Sequence, residues 1–420
     1  MIVRPLAAAL ASLFVLASPV RAADPPSAYG ALFDEVWKTV ETNFYDPTFN
    51  GRDWRAVGDR YRAEASAAPD DAAFGRVANR MLNELGVSHL HLSPPAANAT
   101  RGGVGIGAEI ERIDGARVVV EVAPLSDAQR QGLRVGDRIV GPKSLAGPLG
   151  GAVDVEALGC DGEVRRMRIR HEQSGWPPPH PGLSWRVLGL RPGLKVGYLR
   201  IDRFDDGAAD LADRAMDALA DTQGVVIDIR RNSGGNLSAL RLASYFSGES
   251  RPAVALLARP YLERLGRRAT AADLANLAPT QGAYTDGAVF AAVERGQGAA
   301  VYHSEEMGAK RYKGAVVVVM SGETASAGEG FAHIMRELAG APLVGRATAG
   351  QLLSSDRFGL SGGWRLTVPV GGVWGVDGRD FGDRPVTPDV EVPRTAADLC
   401  RVRDADLDRA LEVLESRLGR

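Results

Sequence analysis

Apolar positions recur at helical spacing over the first part of the chain. Leu32, Val36, Val40 and Phe44 share one helix face, and Phe74, Val77, Met81 and Leu85 share another. Between them Tyr45 to Gly51 reads as a turn leading to Trp54, so residues 28–92 are expected to be mainly helical. The second helix, Asp71 to Leu85, stops at Gly86, which suits a left-handed C-terminal cap. A run of small residues, Pro94 to Arg101, follows.

From Gly102 the period shortens to that of strands. Val104 to Ile110, Arg117 to Val122, Gly132 to Val140 and Val164 to Ile169 make a β-rich module, closed by the Pro- and Gly-rich stretch Gln173 to Gly182. Beyond it strands and helices alternate. Val196 to Ile201, Val225 to Ile229, Ala315 to Met320, a short strand near Leu343, Trp364 to Val370 and Val390 to Val392 read as strands. Asp210 to Ala220, Leu237 to Phe246 and Ala327 to Leu338 read as helices. Val225 to Ile229 and Ala315 to Met320 are unbroken apolar runs, as in parallel strands buried on both faces. Such alternation predicts an α/β layer fold. Residues 260–312 read as an irregular polar segment.

The first 22 residues are set apart from the fold. Arg4 precedes the apolar run Leu6 to Leu16, and Val20-Arg21-Ala22 places small residues where a signal peptidase cuts. The run is too short to span a bilayer, and no later segment is long and apolar enough to do so. A cleaved leader and a secreted, periplasmic protein are expected. Losing it removes two arginines and no acid, which moves the formal charge from −2 to −4. No basic block remains, so nucleic acid is not expected as a partner. The organisation expected is a signal peptide over 1–22, a helical N-terminal domain over 23–98, a β-rich module over 102–174, an α/β core over 184–398 and a C-terminal helix over 399–420. The oligomeric state is left open.

With 45% hydrophobic and 24% charged residues, the composition excludes a collagen-like or wholly disordered chain. Two cysteines, Cys160 and Cys400, cannot framework a chain of 420 residues, and the sequence does not show whether they meet. Glu329 and His333 stand four apart with no second His, so no metal site is expected, nor any cofactor. His171, His180 and His303 read as surface residues. Asp228 and Arg230 read as structural.

Candidate chemistry concentrates in two strand-to-helix turns. Ser321-Gly-Glu-Thr-Ala-Ser326-Ala327-Gly328-Glu329 lies between a buried strand and a helix. A serine there suits a nucleophile, with backbone N–H groups at a helix start to stabilise an oxyanion; an N-cap serine wants the same place. Asp228-Ile-Arg230-Arg-Asn232-Ser-Gly234-Gly235 is a second such turn, whose glycines let backbone approach a ligand closely. It lacks the lysine of a phosphate loop. A serine nucleophile needs a base, usually His, and His89 and His91 stand together after a helix end. Spacing does not choose between them.

These motifs, in this order, resemble the C-terminal processing (tail-specific) serine peptidase family, in its tricorn-like branch that also holds the interphotoreceptor retinoid-binding protein repeats. The resemblance runs from Phe44-Tyr-Asp-Pro-Thr-Phe-Asn-Gly-Arg-Asp-Trp54 through Ser88-His89, Gly105-Ile-Gly107 with Gly132-Leu-Arg-Val-Gly136-Asp137, Asp228 to Gly235, and Thr324-Ala-Ser326-Ala-Gly-Glu329 to Val386-Thr-Pro388-Asp389. It implies a multidomain α/β fold: a helical N-terminal segment, a β-rich PDZ-like module and a ClpP/crotonase-like catalytic core. It implies hydrolysis of protein or peptide substrates by Ser326, with His89 as base, Ser88 beside it, and an oxyanion hole from Ala327 with Gly234 or Gly235. Gly103, Val104, Gly105, Ile106 and Gly107 would then hold a substrate C-terminus.

One branch of that family uses a Ser-Lys dyad, with the lysine 25 residues after the serine. Gln351 stands there, and none of the five lysines (Lys38, Lys143, Lys195, Lys310, Lys313) matches. The His-using branch carries a Glu in Glu-Gly-x-Gly-Val/Ile-x-Pro-Asp. Here Gly382 takes that place; Asp383, one residue on, is the nearest carboxylate and the candidate to orient the Ser-His pair in its stead, with Asp380 next. The missing Glu keeps a second reading open, a catalytically silent peptide- or ligand-binding protein on the same fold.

Overall fold

The computed structural model describes residues 28–95, 104–172, 182–382 and 384–419. The leader 1–22, His180, Gly103 and Asp383 lie outside the described residues.

The chain begins with α1 (Ala28–Asn43), α2 (Trp54–Ser66), α3 (Asp71–Asn83) and β1 (His91–Ser93). The side chains of Asp53 and Asp70 accept backbone N–H groups at the starts of α2 and α3, satisfying donors a helix start leaves open. The next segment holds β2 (Ala108–Ile113), β3 (Ala116–Val122), β4 (Arg138–Gly141), β5 (Ala152–Leu158) and β6 (Val164–Arg170). The third runs through β7 (Leu183–Arg191), β8 (Leu194–Ile201), α4 (Ala208–Leu219), β9 (Gly224–Asp228), α5 (Ser238–Ser244), β10 (Pro252–Ala258), α6 (Arg259–Leu265) and α7 (Ala271–Ala275). It continues with β11 (Pro279–Thr280), α8 (Asp286–Arg295), β12 (Ala299–His303), β13 (Ala315–Met320), α9 (Ala327–Ala339), β14 (Leu343–Gly345), β15 (Leu353–Gly359) and β16 (Arg365–Trp374). It ends in β17 (Val390–Glu391), α10 (Ala396–Cys400) and α11 (Ala405–Leu418).

Among the described residues these strands form three sheets. The central one has the order β17-β14-β13-β9-β8-β7, parallel except for the β7–β8 hairpin. β9 is buried at every position and β13 at all but Ala315, as their apolar runs require. The second sheet runs β1-β16-β10-β12-β11, with β15 paired to β16. The third is the antiparallel meander β2-β3-β4-β5-β6.

Several findings depart from the sequence expectation. Helix ends at Asn83, and His91–Ser93 is a strand paired with Arg365–Thr367. The helical segment also keeps no core to itself: Phe33, Val36, Phe44 and Phe74 share one apolar cluster with Ala255, Val301, Leu366 and Trp374 of the second sheet. Residues 260–312 are ordered rather than irregular, with three helices and β12, whose Val301 and Tyr302 are buried. Their short helices make too few turns to display a 3.6-residue period. The C-terminal helix is α11, preceded by the short α10.

Cys160 and Cys400 are joined by a disulfide that ties the third sheet's module to α10. His171 is buried, not a surface residue, because the 147–151 loop folds over it and takes its backbone groups. Asp228 and Arg230 are structural: Arg230 bridges Asp228, Asp404 and Asp406, pinning the start of α11 to the end of β9.

Candidate active site

β13 and β9 are adjacent parallel strands, so their carboxyl ends open side by side. In such sheets ligands bind at those ends. The turn after β13 carries Ser326, and the turn after β9 carries Gly234 and Gly235. The two turns are stitched together. Ser321 donates its hydroxyl to the Arg230 carbonyl (2.7 Å), Thr324 to that of Ile229 (2.8 Å), and the Ala325 N–H to that of Asn232 (2.9 Å).

Ser326 is the residue before the first turn of α9 and is half-buried. Its backbone sits at φ 51°, ψ −121°, a region that L residues rarely occupy. Such a conformation costs on the order of 1–3 kcal/mol and persists only where the surroundings impose it. His89 also has a positive φ, 58°. It lies in the loop between α3 and β1, and the pairing of β1 with β16 delivers it to the edge of the second sheet. Ser88 Oγ stands 2.8 Å from His89 Nδ1.

One cavity of about 490 Å³ is lined by His89, Gly235, Ser326 and Ala327. The structure thus brings together residues 237 positions apart in sequence. Its lining includes the buried apolar side chains Val254, Leu256, Phe331 and Leu352. His91, the other candidate base, is exposed on β1 and does not line the cavity. Neither does Asp380, which faces Arg268 at 3.5 Å; burial pushes its carboxyl above the usual carboxylate range.

The two glycines divide their roles. The Gly234 N–H donates to Asn232 Oδ1 (2.9 Å) and is already committed. Gly235 adopts φ 134°, and a Cβ there would fall 1.6 Å from the Phe204 carbonyl oxygen, so only glycine fits. Ala327 opens α9, where a backbone N–H has no partner within the helix. Of the stretch expected to hold a substrate end, Val104 pairs with Gly147, Ile106 is buried, and Gly107 turns at φ 75° beside Ser126. These residues do not line the cavity with Ser326.

Sequence reasoning missed Glu329, which is fully buried and accepts the Ser326 N–H at 3.0 Å. The available signal was the Ser-x-x-Glu spacing of a capping box. No cluster that could hold a metal occurs among the described residues.

Comparison with known proteins finds similarity to peptidases. Residues 195–392 match the model of peptidase family S41, and residues 25–83 match the tricorn protease C1 domain. The chain is 27% identical over 438 residues to the putative tricorn protease homolog 2 of Streptomyces coelicolor, covering 94% of this chain and 33% of that protein. It is 24% identical over 447 residues to the carboxyl-terminal-processing protease of Synechocystis sp., covering 97% of this chain and 92% of that one. It spans about a third of the length of the Streptomyces tricorn protease homologs. In fold it is similar to a photosystem II D1 C-terminal processing protease, with TM-score 0.56, 22% identity and coverage of 92% and 97%. It is also similar to mature CPAF, with TM-score 0.66, 14% identity and coverage of 93% and 98%.

Proposed function

We propose that the chain is a serine peptidase of the S41 type, whose family model residues 195–392 match, and that it cleaves peptides with Ser326 as nucleophile and His89 as general base. The observation that carries this reading is the single cavity shared by His89, Ser326, Ala327 and Gly235. Ser326 Oγ attacks the scissile carbonyl carbon while His89 takes its proton. Because Ser88 contacts Nδ1, Nε2 is the nitrogen that receives it. The tetrahedral oxyanion is held by the N–H groups of Gly235 and Ala327, each such donor being worth about 3–4 kcal/mol. His89 returns the proton to the leaving amine, and water then hydrolyses the acyl-enzyme by the same route. Ser88 polarises the imidazole from the side on which other serine peptidases place an acid. The apolar wall of Leu256, Phe331 and Leu352 favours substrates with an apolar side chain beside the cleaved bond.

The β2–β6 meander is the PDZ-like module of this reading. Its 103–107 stretch captures a substrate C-terminal carboxylate with backbone N–H groups other than that of Val104, which Gly147 already holds, and the peptide adds as a strand. A secreted, periplasmic setting is supported by the Cys160–Cys400 pairing, since such bonds persist in oxidising compartments. The test is hydrolysis of unstructured peptides by purified protein. Ser326→Ala is expected to abolish it. Turnover undiminished in that variant removes Ser326 from the mechanism, and a folded wild-type protein with no turnover supports the silent binding reading that Gly382 motivates.

A further inference from the structure

The Glu329 side chain lies in the core, fully buried, without a cation beside it among the described residues. Instead, four donors converge on its two oxygens. Oε2 accepts the N–H of Ser326 (3.0 Å) and of Gln351 (2.7 Å). Oε1 accepts the Thr348 hydroxyl and the Gly350 N–H (2.7 Å). Buried charges survive only when their lone pairs are so satisfied, and the start of α9 adds a favourable dipole.

The identity of these donors gives the arrangement a direction. One is the backbone amide of the residue held at φ 51°. The other three belong to a loop with a brace outside the nucleophile turn, since Thr348 exchanges hydrogen bonds with Val386 (3.1 and 2.8 Å); the Ala349 N–H ties the same loop to the Thr324 carbonyl (2.9 Å). The carboxylate therefore fastens a strained residue to a braced one. An ordinary capping glutamate, exposed on the first turn of a helix, has no such second attachment.

We infer that Glu329 is a positioning residue, whose carboxylate holds the Ser326 backbone in its strained turn and so aims Oγ into the cavity. The inference rests on Ser326 being the nucleophile. It also gives the 348–351 loop a role without a lysine: where the other branch would place a base at 351, this chain uses the backbone N–H of Gln351 to hold the carboxylate that aims Ser326.

Glu329→Gln tests this. It keeps the shape but turns one acceptor oxygen into an NH₂ group facing N–H donors. kcat is expected to fall about 100-fold, the cost of a roughly 1 Å misplacement, with KM unchanged. Labelling of Ser326 by a fluorophosphonate should slow in parallel. A residue that merely supports folding would lower the melting temperature and leave the labelling rate of the folded protein alone, which would overturn the inference.

A thermal cycle reads the same point without activity. Ser326→Gly relieves the strain in the wild-type background. In the Glu329→Gln background the turn has already relaxed, so the same change should raise the melting temperature less. The entropy that glycine brings to the unfolded chain is common to both arms and cancels. Additive effects would overturn the inference. Absence of turnover in the wild type counts against the peptidase reading alone, and the cycle then decides the role of Glu329.

Discussion

Ser88, His89 and Ser326 each make a prediction that kinetics can check. Removing a positioned base costs about 10²–10⁴-fold, so His89→Ala should lower kcat within that range while the protein stays folded. Ser88→Ala removes a neutral hydrogen bond to Nδ1 and should cost about fivefold, since such bonds are worth about 1 kcal/mol. A Ser88→Ala loss as large as that of His89→Ala would make Ser88 a reacting group rather than a polarising one. These residues were legible because a serine between a buried strand and a helix, and a Ser-His pair after a helix end, are patterns of residue type and order. The division between Gly234 and Gly235 was not legible. It depends on the Asn232 side chain, which consumes one amide and not the other. Glu329 was hidden for a related reason, because an acid three residues into a helix reads as a cap until its burial is seen.

At the scale of elements, the meander meets the catalytic turns through charge. Glu109 and Glu111 of β2 and Glu121 of β3 face Arg231 on the glycine turn, Glu323 on the nucleophile turn, and Arg394. Burial, then the Glu323 carboxylate, pushes the Glu109 carboxyl above its ordinary range, against the pull of Arg231. Burial, then Glu111, does the same to Glu323, against Arg231 and Arg394. A carboxyl whose pKa is raised by folding stabilises the folded state at acidic pH and loses that contribution as pH rises through the raised value. Docking of the meander should therefore weaken from acidic toward neutral pH. Glu323→Gln should raise the melting temperature at pH 7 and flatten its slope between pH 4 and 7; an unchanged slope would place the pH response elsewhere. The sequence showed β9, β13 and α9 because each is long or uniformly apolar. It hid α6 to α8, which are too short to display a period. β15 was hidden too, because its alternation is broken by Ser354, Ser355 and Asp356.

For the whole molecule, the disulfide closes 240 residues of chain, joining the meander to α10 beyond the core. Replacing both Cys160 and Cys400 with serine should cost roughly 2–4 kcal/mol of stability, read as a lower denaturant midpoint. A midpoint equal to that of the wild type would mean that the ion pairs and the apolar contact of Ile113 and Val118 with Ala396 hold the meander without it. The length and the α/β class were readable from composition and alternation. The sharing of one apolar core between the N-terminal helices and the second sheet was not, because it joins residues more than 200 positions apart. His89 and Ser326 line one cavity, and catalysis as proposed requires the two to act together. Reaction with a fluorophosphonate, followed by mass mapping of the labelled peptide, tests it most directly. Labelling at Ser326 that is lost in Ser326→Ala and slowed at least 100-fold in His89→Ala is the predicted result. Labelling at another residue, or a rate unaffected by His89→Ala, would contradict it.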